Sequence, residues 1–290
     1  MRKQLITGII HVKNEERNIE QAILSLRQIA DEIIVADMCS VDSTAKIAEA
    51  LGARVIAVQD YGIPEPAFKT SYAAATHPWI FRLDADEILP ATLATQLLAS
   101  VDSGKWDVVE IPRLNFFFGS PLLHTGWGPI SDRHTRLFRK SALAAASSAV
   151  HTADAFYPQA RVLKLSPEIE ASIWHFNYLD WSHFIEKLDR YTTVEAQALA
   201  ESGQTLRRRA LVWVCGKEVL WRYFRRRGYK DGYRGAVLTL LMVAYRVTTY
   251  AKWRQLTEVG DRESIRRHYA DVAAAIAKAV TVGKVISKSE

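Results

Sequence analysis

The sequence has little of what several large classes of protein require. Its two cysteines, Cys39 and Cys215, lie far apart and in no CxxC or Cys/His spacing, so neither a zinc site nor a disulfide framework is indicated. No GxGxxG fingerprint follows the first apolar run, at 5–12, which argues against a dinucleotide-binding domain. No apolar run approaches the roughly 20 residues that cross a bilayer. These absences favour a protein of a reducing compartment.

Composition and charge narrow the class further. Of the 290 residues, 49% are hydrophobic and 24% are charged, which suits a folded protein with a substantial core. The run at 5–12 has no small-residue cleavage site behind it, so we expect a strand rather than a signal peptide, and a cytoplasmic protein. The formal net charge of +6 comes largely from the last third, with arginines at 207–209 and 225–227. Such clusters are typical of nucleic-acid binding, of an anionic membrane surface or of a solvated helix face.

The first hundred residues alternate between strand and helix patterns. Apolar runs at 5–12, 33–36, 54–58 and 79–83 predict strands, and the helical periodicities between them predict helices at 18–29, 43–51 and 67–75. This order predicts an α/β fold with a parallel sheet and right-handed crossovers. Ligands of such sheets bind beyond the carboxyl ends of the strands, which is where the polar residues 11–15, Asp37 and 84–87 stand.

The strongest chemical signal is the turn that carries Asp84, Ala85, Asp86 and Glu87. Three carboxylates crowded behind a buried strand repel one another unless a cation or hydrogen-bond donors compensate them. Carboxylates together with substrate phosphates are the ligands that Mg²⁺ or Mn²⁺ commonly takes. The alternative is structural: Asp86 and Glu87 begin a helix that runs to Ser100, where acidic residues favour the helix dipole.

Short motifs in a characteristic order accompany this turn. The chain resembles family 2 glycosyltransferases of the GT-A fold, and more narrowly those that transfer β-glucose to the lipopolysaccharide core. The matching pieces are KNEERNI (13–19), DEIIV (31–35), LDADE (83–87), IPRLN (111–115), GW (126–127), RLFR (136–139), VH (150–151), KLDRYTT (187–193) and the region 228–252. The family usually has Asp-Ser-Gly-Ser-Thr-Asp after the second strand, where this chain has DMCSVD at 37–42.

The resemblance assigns donor-binding roles to residues at the strand ends. It implies that His11, Lys13 and Glu15 cradle the nucleoside, and that Asp37 accepts a hydrogen bond from the base. It also implies that Lys69 neutralises the diphosphate and that Ala85 belongs to the donor-binding turn. By the same resemblance, Asp84 is expected to face the ribose or the metal, and Asp86 to ligate the metal directly. Asp37 as a helix cap and Lys69 as a surface residue are the structural alternatives.

The resemblance also implies inversion at the anomeric carbon, which requires a base for the acceptor hydroxyl. Asp132, in the loop between Gly126 and Phe138, is the leading candidate for that base, with ordinary loop polarity as the alternative. His151 is the second candidate, or else a third metal ligand. His175 lies among aromatic residues, and we expect it to be a packing histidine.

From Trp181 onward helical patterns replace strands. Aromatic and basic residues interleave around the apolar segment 236–244, a composition that suits a helix in a membrane interface. The alternative is a helical subdomain that packs through its own apolar face. We expect a catalytic domain at 1–178, with a nucleotide-sugar half at about 1–100 and an acceptor half at about 101–178. A helical extension at 179–290 would bring the protein to the cytoplasmic face of the inner membrane.

The sequence-based hypothesis is a metal-dependent inverting glycosyltransferase, with a UDP-sugar favoured as donor and a glycan or glycolipid hydroxyl as acceptor in envelope polysaccharide synthesis. One alternative is a polyprenyl-phosphate sugar synthase, which needs no base because its acceptor phosphate is already ionised. A nucleotidyltransferase would instead cleave at the α-phosphate. A nucleic-acid-binding protein would use the arginine clusters, yet no binding motif accompanies them.

Overall fold

The computed structural model describes residues 4–148, 153–205 and 207–286, and the chain divides into two compact units, Met1–Asp180 and Trp181–Glu290. The first unit is an α/β domain built on one large sheet, and the second is helical. This mixed α/β architecture with carboxyl-terminal helices agrees with the fold class expected from the sequence.

The amino-terminal half of the first unit is the predicted alternation. The elements are β1 (Ile6–Val12), α1 (Ile19–Leu26), β2 (Glu32–Asp37), α2 (Thr44–Ala50), β3 (Arg54–Ala57), α3 (Phe68–Ala74) and β4 (Trp79–Asp84). Strands β3, β2, β1 and β4 lie side by side and parallel in that order. Because these four strands are parallel, their carboxyl ends lie at one edge of the sheet. Alternate side chains of β4 pack on opposite faces of the sheet, Phe81 on one and Ile80 on the other.

The second half of this unit extends the sheet mostly with antiparallel and short strands. Its elements are β5 (Glu87–Ile88), α4 (Ala91–Asp102), β6 (Val108–Phe117), β7 (Ser120–Pro121), β8 (Arg133–Arg139), β9 (Leu143–Ala145), β10 (Ala155–Phe156), β11 (Val162–Lys164) and β12 (Ile173–Tyr178). Strands β9 and β10 form a separate pair. From β4 the large sheet continues through β8, β6 and β12 to β5.

The sheet must curl because its two distant strands β4 and β5 are joined by only Ala85 and Asp86. The curl brings β5 at the far edge back to the end of β4. Side chains from β4, β5, β6, β8 and β12 consequently surround the acidic turn. This closure creates the candidate site.

The second unit consists of α5 (Trp181–Glu201), α6 (Arg208–Val219), α7 (Gly232–Glu258) and α8 (Arg262–Ile286), with a π-helical segment at Leu220–Arg225. Phe184, Leu188, Thr192 and Ala196 recur every four residues on α5 and form its buried stripe. Helix α7 packs against α5 and α6. Of the helices within the described ranges, none is long and apolar enough to cross a bilayer.

The structural alternative for the acidic turn is wrong. Glu87 does not begin a helix: it lies in β5 with no exposed surface, and the helix starts later, at Ala91. The apolar segment 236–244 lies inside α7, where Leu238 and Leu241 are buried and Leu240 is 65% exposed. The position of Glu87 arises from tertiary packing, which local sequence patterns do not report.

Candidate active site

The first aspartate of the acidic turn is held by an arginine. Asp84 accepts two hydrogen bonds from Arg136, with Oδ2 2.6 Å from Nη2 and Oδ1 3.1 Å from Nη1. Nη2 of Arg136 also donates to Glu87 Oε1 at 2.9 Å. Burial alone would raise the pKa of Asp84, but the charge and hydrogen bonds of Arg136 hold it well below its usual range. The arginine thus compensates the crowding that the sequence predicts.

The second aspartate of the turn points to a different partner. Asp86 Oδ2 lies 3.3 Å from Nε2 of His175, a residue that is 7% exposed. The other ring nitrogen of His175, Nδ1, lies 2.6 Å from Oδ1 of Asn115. The sheet register explains the contact, because His175 on β12 stands opposite both Asn115 on β6 and Glu87 on β5. The turn therefore separates an arginine-neutralised aspartate from one that faces an imidazole.

Asp132 lies within the same network of side chains. Its carboxylate accepts hydrogen bonds from Arg113 Nε at 2.9 Å and from Asn115 Nδ2 at 2.5 Å, and His134 Nε2 lies 2.7 Å from Oδ1. Burial raises the pKa of Asp132, but the charge of Arg113 and the hydrogen bonds from His134 and Asn115 hold it well below its usual range. Asp132 is therefore an ionised carboxylate at neutral pH.

Two turns at the parallel strand ends are joined by hydrogen bonds. Asn14, in the left-handed region at φ +55°, donates its N–H to Ser40 Oγ at 2.9 Å, and Glu15 donates its N–H to Thr44 Oγ1 at 2.8 Å. Asp37 Oδ1 accepts the N–H of Ser40 at 3.1 Å. Polar groups of the first and second strand ends thus form one continuous rim.

The predicted donor-binding residues occupy different surroundings. His11 is buried against Phe68, with Nε2 2.8 Å from Ser71 Oγ, and burial lowers its pKa to about 3. Lys13 is half exposed and pairs with Asp60.

Of the other predicted positions, Lys69 is exposed on α3, and Ala85 is buried within the turn. His151 lies outside the described residues. The structure therefore brings Asp84, Asp86 and Asp132 into one network and places His11 beneath the rim.

Sequence reasoning missed five members of this site, namely Arg113, Asn115, His134, Arg136 and His175. Arg113 and Asn115 lie in IPRLN, and Arg136 begins RLFR, so the motifs contained them without indicating their contacts. His175, expected to pack among aromatic residues, directs a ring nitrogen at Asp86. Its signal was the alternation of WHFNY along β12, in which His175 and Asn177 are buried while Phe176 is exposed.

A metal ion at this site would be bound by few protein side chains. Among residues 4–148, 153–205 and 207–286, no group of three or more His, Cys, Asp or Glu side chains is arranged to hold an ion. Asp86 and His175 supply a carboxylate oxygen and an imidazole nitrogen 3.3 Å apart. The carboxylate suits Mg²⁺ or Mn²⁺, and the imidazole suits Mn²⁺ better than the harder Mg²⁺. Such ions use few protein ligands when a substrate diphosphate and water complete the shell.

The curled sheet with polar strand ends and an acidic turn agrees with the GT-A type fold that the sequence resemblance implies. Residues 7–147 match glycosyl transferase family 2. An uncharacterized glycosyltransferase of Rickettsia typhi is 27% identical over 266 residues, which cover 88% of this chain and 88% of that protein. The lipopolysaccharide core biosynthesis glycosyltransferase LpsC of Rhizobium meliloti is 28% identical, covering 85% and 91%. The chain is therefore similar to family 2 glycosyltransferases.

A solved structure of glucosyl-3-phosphoglycerate synthase from Mycobacterium tuberculosis, in complex with Mn²⁺, uridine-diphosphate and glucosyl-3-phosphoglycerate, is 26% identical with a TM-score of 0.33. The match covers 39% of this chain and 45% of that one, which is less than half of its length.

Proposed function

We propose that the protein transfers a sugar, with inversion, from a UDP-sugar to a hydroxyl of a glycan or glycolipid of the cell envelope. The observation that carries the proposal is the pair Asp86–His175, which stands in one hydrogen-bonded network with the ionised carboxylate of Asp132. The name of the Rhizobium relative supports an acceptor in the lipopolysaccharide core. The nucleotide-sugar would occupy the half at about 1–100, and the acceptor the half at about 101–178.

The residues divide the chemistry between them. Asp86 and His175 would hold Mg²⁺ or Mn²⁺, which when bound stabilises negative charge on the diphosphate leaving group. Asp132 takes the proton of the acceptor hydroxyl as that oxygen attacks the anomeric carbon. The new carbon–oxygen bond forms while the bond to the diphosphate breaks, and the nucleoside diphosphate departs with the electron pair. Arg136 keeps the carboxylate of Asp84 ionised and balances its negative charge with a salt bridge.

The donor site is tested by thermal shift with UDP-, GDP- and dTDP-sugars, each with and without Mn²⁺. We expect one nucleotide class to stabilise the protein only with metal, and Asp86→Ala to lose that shift. Asp102→Asn is the matched control, since Asp102 is an exposed acid at the end of α4. Absence of a shift with every donor, or a shift unchanged in Asp86→Ala, would contradict the proposal.

The base is tested by Asp132→Asn, which keeps the shape of the side chain but removes its charge. We expect transfer to a hydroxyl acceptor to fall by about 10²–10⁴-fold while donor binding survives. Turnover like that of the wild type would remove Asp132 from the mechanism. If the variant still transferred sugar to a polyprenyl phosphate, the synthase alternative would replace this one.

We also propose that the second unit binds an anionic membrane surface, which suits a lipid-linked acceptor. Trp213 and Phe224 are 67% and 58% exposed, and exposed arginines at 207–209 stand in the same unit. Exposed aromatic side chains next to positive charge are typical of membrane interfaces.

Sedimentation with vesicles rich in phosphatidylglycerol tests the membrane proposal. Binding should weaken at high salt and in Trp213→Ser, whereas Val162→Ser, at an exposed valine of the first unit, serves as the control. A protein that stays in the supernatant at low salt would contradict this part of the proposal.

A further inference from the structure

We propose that Asn115 is a positioning residue that orients both His175 and Asp132. This inference rests on the proposed function, because it assigns a role to the side chain that joins the two halves of the proposed site. Asn115 has no exposed surface and lies on β6 directly opposite His175 in the register. Its side chain contacts His175, Asp132 and the carbonyl oxygen of Trp127.

The orientation of the Asn115 amide follows from its neighbours. Nδ2 lies 2.8 Å from the carbonyl oxygen of Trp127 and 2.5 Å from Oδ2 of Asp132. Both neighbours are acceptors, so the amide nitrogen must face them and both of its hydrogens are used. The amide oxygen Oδ1 is therefore directed at His175 and can only accept.

This amide orientation selects the protonation site on the His175 ring. Because Oδ1 of Asn115 accepts, Nδ1 of His175 must carry a hydrogen across the 2.6 Å contact. In the neutral ring the lone pair then lies on Nε2, the atom 3.3 Å from Asp86 Oδ2. A nitrogen lone pair that faces a carboxylate is repelled by it, unless a cation lies between the two groups or the ring itself is protonated. Asn115 thereby prepares His175 as a cation ligand.

The same amide holds the proposed base in place. Three side chains of the described residues contact Asp132, and of these Asn115 also contacts His175. Arg113 instead also donates a hydrogen bond to Glu87, and His134 lies beside Oδ1 of Asp132. A rotation of the Asn115 amide would break its contacts with Asp132 and His175 together. Such second-layer hydrogen bonds typically change metal affinity or activity by about 10–100-fold when they are removed.

The first test uses Asn115→Leu, which has a similar volume but neither donates nor accepts. Long-range ¹H–¹⁵N spectra of the metal-free protein, with His175→Gln to assign the ring, report which nitrogen is protonated. We expect Nδ1 of His175 to be protonated in the wild type and Nε2 alone in Asn115→Leu, because Asp86 then becomes the remaining acceptor. A wild-type ring without a proton on Nδ1, or a ring unchanged in the variant, would overturn the proposal.

The second test measures Mn²⁺ affinity by electron paramagnetic resonance in the presence of UDP. We expect Asn115→Leu to bind Mn²⁺ about 10–100-fold more weakly. Leu114→Ala is the control, because Leu114 is a buried neighbour on β6 whose side chain points to the other face, so a purely structural loss would affect both variants. Equal affinities of wild type and Asn115→Leu would contradict the role, whereas a wild type that binds no Mn²⁺ would contradict the proposed function itself.

The third test separates the two halves of the role and remains informative if Asn115→Leu does not fold. Asn115→Asp retains an acceptor for His175 but places a second carboxylate against Asp132. We expect Mn²⁺ affinity within about threefold of the wild type and a loss of transfer of at least about 10-fold, with the KM for the donor unchanged. Loss of Mn²⁺ affinity equal to the loss of transfer, or wild-type transfer, would show that Asn115 does not act on the two residues separately.

Discussion

The two units of this protein treat charged side chains differently. In the first unit Glu87 is fully buried, the side chain of Arg136 is only 4% exposed, and the acids and arginines converge at the closure of the sheet. In the second unit most arginines are exposed, and the main internal ion cluster of the described part joins Glu218 to Arg222 and Arg246. Burial of charge is costly unless each charge is paired. The difference indicates that the first unit maintains buried charges where the chemistry needs them.

The largest effect should follow from removing the central cation of the first unit. Arg136→Met leaves Asp84 and Glu87 without their shared partner, so we expect the free energy of unfolding to fall by about 3–5 kcal/mol. Denaturant titration measures the change. Arg266→Met, which breaks an exposed pair with Glu263 in the second unit, should change it by no more than about 1 kcal/mol. An equal decrease in unfolding free energy in the two variants would show that the buried and the exposed ion pairs contribute equally to stability.

A smaller effect is expected from Glu32, the first residue of β2 in the first unit. Burial raises the pKa of Glu32, but hydrogen bonds from Thr76, Thr7 and Arg54 lower it to about 2 from an ordinary 4.5. As the pH falls from 4.5 to 2, Glu32 becomes protonated in the unfolded chain before it does in the folded protein. The stabilisation by its hydrogen bonds is therefore fully present above pH 4.5 and is lost as the pH falls toward 2. It should amount to about 2–3 kcal/mol.

Glu32→Gln isolates this contribution from those of the other acids. The difference in unfolding free energy between wild type and Glu32→Gln should shrink as the pH is lowered from about 4.5 to about 2. Glu263→Gln in the second unit is the matched control, because its exposed pair with Arg266 should contribute no more than about 1 kcal/mol. A Glu32→Gln difference that does not change with pH would contradict the assignment.

The smallest effects concern one strained position in each unit. Cys39 and Arg227 have φ values of +59° and +55°, in the left-handed region where a side chain is unfavourable. Cys39 stands at the glycine position of the family pattern Asp-Ser-Gly-Ser-Thr-Asp. Cys39→Gly and Arg227→Gly should each stabilise the protein by about 0.5–1 kcal/mol, after the greater chain entropy of glycine in the unfolded state is allowed for. Thermal unfolding measures both, and a decrease in stability would show that the native side chain makes a compensating contact.

Several properties of the site could be predicted because they depend on residues close in the chain. The apolar runs that became β1, β2 and β4 placed Asp37, Asp84 and Asp86 at one edge of a parallel sheet. The crowding of carboxylates in the turn also predicted that some cation must compensate them. That cation is in part Arg136, more than forty positions along the chain, and no local pattern indicated the pairing.

The sequence by itself determined the order of strands and helices in the first hundred residues, the acidic turn at the end of β4 and the resemblance to family 2 glycosyltransferases. It determined these because hydrophobic periodicity and short motifs are local properties. Only the tertiary structure decided that Asp84 faces an arginine while Asp86 faces His175, and that Asn115 joins His175 to Asp132. The physical reason is the curl of the sheet: it returns β5 to the end of β4 and brings together side chains that are remote in sequence.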